Sequence, residues 1–256
     1  MSLFEASGVG RRFAGLQALD DVNMAVGSGE LVGLIGPNGA GKSTFFDVAS
    51  GVLTPDSGTV RFDGEDITGL RPASISQRGM VRTFQMSREL GAMTVEENLA
   101  LGAADHPGET VLGALIRTEA VREHERETLA EVAELVDFLE LAELADEYAS
   151  KLSGGQRKLL ALGRVLMSDP ELILLDEPFA GVNPTLERKL VERIVDLNEE
   201  GITFLIVEHE IETLVEVCDR LVVLHNGHVL TEGEPEAVIS DDEVIDAYLG
   251  DTLQPT

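Results

Sequence analysis

The chain carries one cysteine, four lysines and no apolar run long enough to cross a bilayer, and each scarcity removes a class of answer. Cys218 cannot close an internal disulfide and has no companions at metal-ligand spacing, so its expected place is that of a small buried hydrophobe. A membrane helix needs about 20 consecutive apolar residues. The opening MSLFEASGVGRRF also lacks the continuous apolar stretch of a secretion signal, and a cytoplasmic protein is expected. The shortage of lysine belongs to a larger imbalance, with 19 basic residues against 47 acidic ones and a formal net charge of -28. Nucleic acid is gripped by clustered cations, and here they are scattered singly or in pairs such as Arg11 and Arg12, which argues against that partner. Self-repulsion of this size eases when molar salt shrinks the screening length to about 3 Å, so a salt-rich cytoplasm is expected.

What is present is organised around Leu31 to Thr44, LVGLIGPNGAGKST. An apolar strand runs into a glycine-rich loop of the form G-x-x-x-x-G-K-[ST], whose backbone N–H groups can turn inward around phosphate oxygens. Gly36, Pro37, Asn38, Gly39, Ala40 and Gly41 form the loop, Lys42 is placed to reach the β- and γ-phosphates, and Ser43 and Thr44 open a helix whose positive end faces the same anion. In this motif the Ser43 hydroxyl meets Mg2+. Upstream, two strand segments between Leu3 and Val26 meet at a turn near Ala14 and Gly15, and Phe13 there can stack on a purine or, as such residues more often do, join a core. Gln85 follows a short strand-like run and alone is an ordinary polar residue.

A second anion-binding feature lies at Ser153, Gly154, Gly155 and Gln156, where a capping-box pattern starts a helix with exposed N–H groups. The stretch from Glu119 to Tyr148 holds 11 acidic residues, with Leu129, Val132, Val136 and Leu139 as the apolar stripe, and reads as a helical insert with a solvated face. LILLDE, 172–177, is the continuous apolar run of a strand buried on both faces, ending in two carboxylates where ligands of parallel sheets bind. Asp176 can hold a metal and Glu177 can orient or deprotonate water. Asn183 and Pro184 read as the cap and first residue of a helix, and a second buried strand, 202–207, delivers His209 to the same rim.

Taken in order, GPNGAGKST, Gln85, LSGGQ at 152–156, LILLDE and His209 resemble the ATP-binding subunit of ABC transporters over nearly the whole chain. The resemblance implies an α/β fold: a P-loop NTPase core with a mainly parallel sheet (1–90 and 158–233), an N-terminal antiparallel β portion, a helical subdomain insert (about 91–157), C-terminal helices (234–250) and a tail (251–256). It assigns Phe13 to adenine, the loop from Gly36 to Thr44 to the phosphates, Ser43, Gln85 and Asp176 to Mg2+, Glu177 to general base catalysis and His209 to the γ-phosphate. Ser153 to Gln156 are implied to contact ATP held by a second ABC ATPase subunit, as a homodimer or with a paralogue. Permease subunits would be contacted near Gln85, placing this chain peripherally at the cytoplasmic face of the membrane, and a solute-binding protein would complete the system. LQALDDV, VRTFQ, MTVEENL, LIVEHE and AYLG look like the branched-chain amino-acid importer group, with urea, amide and lipid-export ATPases as neighbouring expectations. Asn183 stands where the broader family usually has Asp, so the cross-dimer contacts of that loop are not carried over. A soluble ABC ATPase for assembly or repair is the rival class, and a P-loop kinase would leave LSGGQ unexplained.

Overall fold

Two sheets divide the strands of this computed structural model, which describes residues 2–83, 90–103, 119–209 and 211–252. One is antiparallel in the order β2 (Leu16–Gly27), β1 (Ser2–Phe13), β4 (Ser57–Phe62), β5 (Glu65–Asp66). The other follows the order β10 (His228–Gly233), β9 (Arg220–His225), β3 (Leu31–Ile35), β8 (Thr203–Val207), β7 (Leu172–Asp176), β6 (Met80–Arg82). In it β9, β3, β8, β7 and β6 run parallel, and β10 is antiparallel at one edge. Every residue of β3, β7 and β8 is buried, as unbroken apolar runs covered on both faces require. The helices are α1 (Lys42–Ala49), α2 (Pro72–Ser76), α3 (Val95–Ala100), α4 (Glu119–Phe138), α5 (Gly154–Leu166), α6 (Pro184–Glu199), α7 (Ile211–Val217), α8 (Pro235–Ile239) and α9 (Asp242–Thr252). The α/β architecture with a mainly parallel sheet and an N-terminal antiparallel portion is thus the observed one. Among the described residues no helix is long and apolar enough to cross a membrane.

The chain divides into two compact units, one of residues 1–85, 171–180 and 194–256, the other of residues 86–170 and 181–193. In the first, α1 supplies Phe45 and Phe46 to a core shared with Phe4 and Phe62 of the antiparallel sheet and with Leu34 and Leu174 of the parallel one. Phe4 and Phe45 meet edge to face, with centroids 6.3 Å apart. The P-loop helix is therefore anchored from two sides. Cys218 is buried in this unit, and its desolvated thiol is pushed well above the usual range.

In the second unit the acidic stretch departs from the pattern read in the sequence at one position. Val132, Val136 and Leu139 are buried as expected, but Leu129 is 59% exposed and Thr128 is 7% exposed. The inward stripe runs 128, 132, 136, at the i, i+4 spacing of a straight helix, which leaves Leu129 one step round the surface. α4 stops at Phe138 because Glu140 takes a left-handed φ of 55°, and the N–H of Leu141 turns back to the carbonyl of Val136 at 2.9 Å. The Glu140 carboxylate is held by Lys189 and lies 3.6 Å from Arg193, and the Lys189 hydrogen bond pulls its pKa below the ordinary value.

Candidate active site

The site grows from the carboxyl end of the parallel sheet. Register places Leu34 of β3 beside Val207 of β8, and Val207 beside Asp176 of β7, so the three strands end level. β3 and β7 are separated by one strand, about 10 Å at ordinary sheet spacing. Everything leaving these ends shares one rim.

From β3 the chain enters the glycine-rich loop. Gly36 has φ 147°, and a Cβ there would collide with the carbonyl oxygen of Leu224, so no other residue fits the turn out of the strand. The Lys42 side chain, buried at the start of α1, donates from Nζ to the carbonyl oxygens of Gly36 at 2.5 Å and Pro37 at 3.0 Å, which wraps the loop around its ammonium. Ser43 follows on the exposed side of the first turn. The loop is also braced from outside by residues whose part the sequence did not reveal. The N–H of Gly227, in the β9–β10 turn, donates to Ala40 at 3.0 Å, and its carbonyl accepts from Asp20 of β2 at 2.9 Å. Tyr248 of α9 accepts from the Gly36 N–H, while burial pushes its phenol up to about 12 and keeps it protonated. Asn226-Gly227 is a two-residue hairpin turn between β9 and β10, and nothing local names its distant partner.

From β7 come Asp176 and Glu177. The Asp176 side chain is 5% exposed and accepts from Nη2 of Arg82 at 2.7 Å. Glu177 leaves the strand at φ 48°, a left-handed conformation unfavourable for a side chain with a Cβ, and its N–H donates to Val207 at 2.9 Å. Its Oε1 lies 2.9 Å from Nε2 of His209, which comes from the end of β8. Glu208, 2% exposed, accepts from the N–H of Phe179 at 2.6 Å and of His209 at 3.2 Å, tying the two exit loops together. The sequence signal for Glu208 is a carboxylate closing a wholly apolar strand, one residue before the histidine.

Phe13 is 39% exposed at the end of β1 under the Arg11 guanidinium, 5.0 Å from its centroid, so the core alternative does not hold. Gln85 lies outside the described residues. Ser153 to Gln156 belong to the second unit. There Ser153 caps α5, its N–H donating to Gln156 Oε1 at 2.8 Å and its Oγ accepting from the Gln156 N–H at 3.4 Å. The two glycines differ. A Cβ on Gly155 would stand 2.5 Å from Leu186 Cδ1, whereas one on Gly154 would meet only the Gly181 carbonyl at 4.0 Å. Gly155 is required by packing against α6, and Gly154 leaves an open backbone surface at the helix start. Asn183 caps α6, accepting from the N–H groups of Thr185 and Leu186 at 3.1 Å each.

A profile of the family described as ABC transporter matches residues 19–180. A protein of Archaeoglobus fulgidus called probable branched-chain amino acid transport ATP-binding protein LivG is 40% identical over 98% of this chain and 96% of its own. The high-affinity branched-chain amino acid transport ATP-binding protein BraF of Pseudomonas aeruginosa is 38% identical over 97% of this chain and 98% of its own. Among solved structures, an ATP-binding cassette of an ABC transporter in its ADP conformation superposes with a TM-score of 0.85 at 39% identity, covering 98% of this chain and 99% of that one.

Proposed function

The chain belongs to the ABC transporter family of ATP-binding subunits, and from that membership we propose that it hydrolyses ATP to power an importer of branched-chain amino acids. The observation that carries the catalytic reading is the shared rim, where the phosphate loop, Asp176 and the Glu177–His209 pair leave three neighbouring strand ends. The import reading rests on the relatives' names and on their match along nearly the full chain.

The roles follow from chemistry at each position. Phe13 presents an exposed ring on which adenine stacks, and the loop from Gly36 to Thr44 surrounds the β- and γ-phosphates with N–H groups and the Lys42 ammonium. Magnesium fits the donors present. Among the described residues no cluster of three or more His, Cys, Asp or Glu forms a cage, while Ser43 and Asp176 offer single oxygens of the kind a Mg2+ bound mainly by phosphate and water uses, with Gln85 added from the sequence. Such an ion neutralises charge developing on the phosphoryl oxygens. Glu177 accepts a proton from the water attacking the γ-phosphorus as the bond to the β–γ bridging oxygen breaks, giving ADP and phosphate. His209 holds Glu177 through Nε2 and faces the γ-phosphate when ATP is in place.

The open backbone at Gly154 and the capped start of α5 fit a phosphate supplied from outside the chain, which supports pairing with a second ATPase subunit, identical or paralogous. A related cassette has been solved as a dimer bound to ADP and phosphate, at 26% identity and a TM-score of 0.73. Permease subunits dock near Gln85 and hold the protein peripherally at the membrane, with a solute-binding protein completing the importer. The charge of -28 suits a salt-rich cytoplasm.

The test is complementation. Cells lacking this chain are expected to lose uptake of leucine, isoleucine and valine. The wild type restores it and Glu177→Gln does not, although the purified variant still binds ATP and its hydrolysis falls at least about 100-fold. Unchanged uptake in the deletion removes the importer reading, and near-normal hydrolysis by Glu177→Gln removes the role of Glu177.

A further inference from the structure

Arg82 closes β6 and has no part in the reading above. Its side chain is 10% exposed and makes a three-way junction. Nη1 donates to Asp47 Oδ1 at 2.7 Å, in the helix that begins at Lys42, and to Ser50 Oγ at 3.0 Å, at the C-cap of that helix, and Nη2 donates to Asp176 Oδ2 at 2.7 Å. The guanidinium also sits 5.7 Å from the centroid of Phe46, one turn-face away on the same helix. Nε is buried without a hydrogen-bond partner among the described residues, so the terminal nitrogens hold the group in place.

The geometry of the helix gives this junction its meaning. Asp47 lies four residues after Ser43 on α1, and residues at that spacing share a face. A cation that grips Asp47 with one nitrogen and Asp176 with the other fixes the face bearing Ser43 relative to the end of β7. Only a planar fork reaches both carboxylates at once, and a lysine ammonium is a point charge on a flexible stem. The bridge also engages one named oxygen of Asp176, which sets the orientation of the carboxylate plane. Residues that orient ligands in this way change metal affinity about 10- to 100-fold when altered.

We propose that Arg82 is a positioning residue for the magnesium site, bridging Asp47 of α1 to Asp176 of β7 and thereby setting the separation and orientation of the Ser43 and Asp176 oxygens. The proposal rests on the assignment of those two oxygens to the metal. It separates the binding of metal from the binding of phosphate: the loop and Lys42 hold ATP without Arg82, and Arg82 determines how much affinity the metal adds.

The experiment measures ATP binding to the full-length protein by equilibrium dialysis, with MnCl2 or with EDTA, for the wild type, Arg82→Lys, Asp47→Ala and Asp176→Asn, each first checked by thermal unfolding. Arg82→Lys keeps the buried charge but loses the fork, and Asp47→Ala breaks the bridge from its more exposed end, so a folding failure of one leaves the other to decide. Both are expected to lower affinity for ATP with Mn2+ about 10-fold while affinity in EDTA stays within about 2-fold. Equal losses with and without metal would mean that the junction only shapes the phosphate loop, and the proposal falls. It falls alone if Asp176→Asn removes the benefit of Mn2+ while Arg82→Lys and Asp47→Ala retain it. If Asp176→Asn leaves that benefit intact, the assignment of Asp176 fails first and takes the proposal with it.

Discussion

Glu177 turns out of β7 with φ 48°, a conformation that costs an ordinary residue about 1 kcal/mol or more relative to glycine. The strain is imposed by hydrogen bonds on both sides, from its own N–H to Val207 and from the Phe179 N–H to Glu208. Backbone strain held at a reacting group is a recurrent feature of active sites. It has a measurable consequence. Glu177→Gly is expected to be more stable than Glu177→Ala by about 1 kcal/mol in urea unfolding, the reverse of the order at most positions, since both lose the carboxylate and only glycine relieves the backbone. An alanine variant as stable as the glycine variant would show that the strain is not real. At this scale the sequence named Asp176, Glu177 and His209 because an apolar strand ending in charge is a local signal. It did not name Arg82, Glu208 or Tyr248, whose partners Asp176, Phe179 and Gly36 stand far away in the chain and meet them only in the folded sheet.

At the scale of elements, α5 shows how a local rule and a functional one coincide. The Ser153–Gln156 capping box satisfies the N–H groups of Ser153 and Gln156, and in the proposed reading those of Gly154 and Gly155 between them are offered to a phosphate held by a second subunit. Losing an N-cap side chain costs about 1 kcal/mol. Ser153→Ala is therefore expected to unfold with a loss of about that size, while ATP hydrolysis at saturating nucleotide falls by more than about 10-fold, an effect the small stability change cannot produce. Ser153→Thr keeps the cap and tests the pairing from the other side: it should retain stability and recover part of the activity. If the alanine variant hydrolyses ATP normally, the helix start has a structural role alone. Elements of this kind were readable because caps, breakers and periodicity are written within a few residues, as at Asn183 and Pro184, where the Asn183 side chain caps the next helix. The exposure of Leu129 shows the reach of such local signals: the aliphatic stripe points to 129, whereas the inward position is filled by Thr128, which side-chain type alone does not reveal.

For the whole molecule, the strand order β10-β9-β3-β8-β7-β6 was not legible, because it depends on which buried strands become neighbours and not on any one segment. The charge was legible at once. With 47 acidic and 19 basic residues on 256 positions, ion pairs such as Arg220 with Glu30 and Glu232 leave a large excess of negative charge. At about 0.1 M salt the screening length is about 10 Å, longer than the spacing between neighbouring side chains, and near 1 M it is about 3 Å, shorter than that spacing. Folding brings the charges closer than the unfolded chain does, so screening favours the native state. The unfolding midpoint is expected to rise by at least about 5 °C between 0.1 and 2 M KCl, with most of the rise below about 1 M where the screening length changes fastest. Sucrose strengthens burial without screening charge, so a sucrose series separates the two causes. A KCl response no larger than the sucrose response, or a midpoint flat in salt, would remove the argument that this surface is built for a salt-rich cytoplasm.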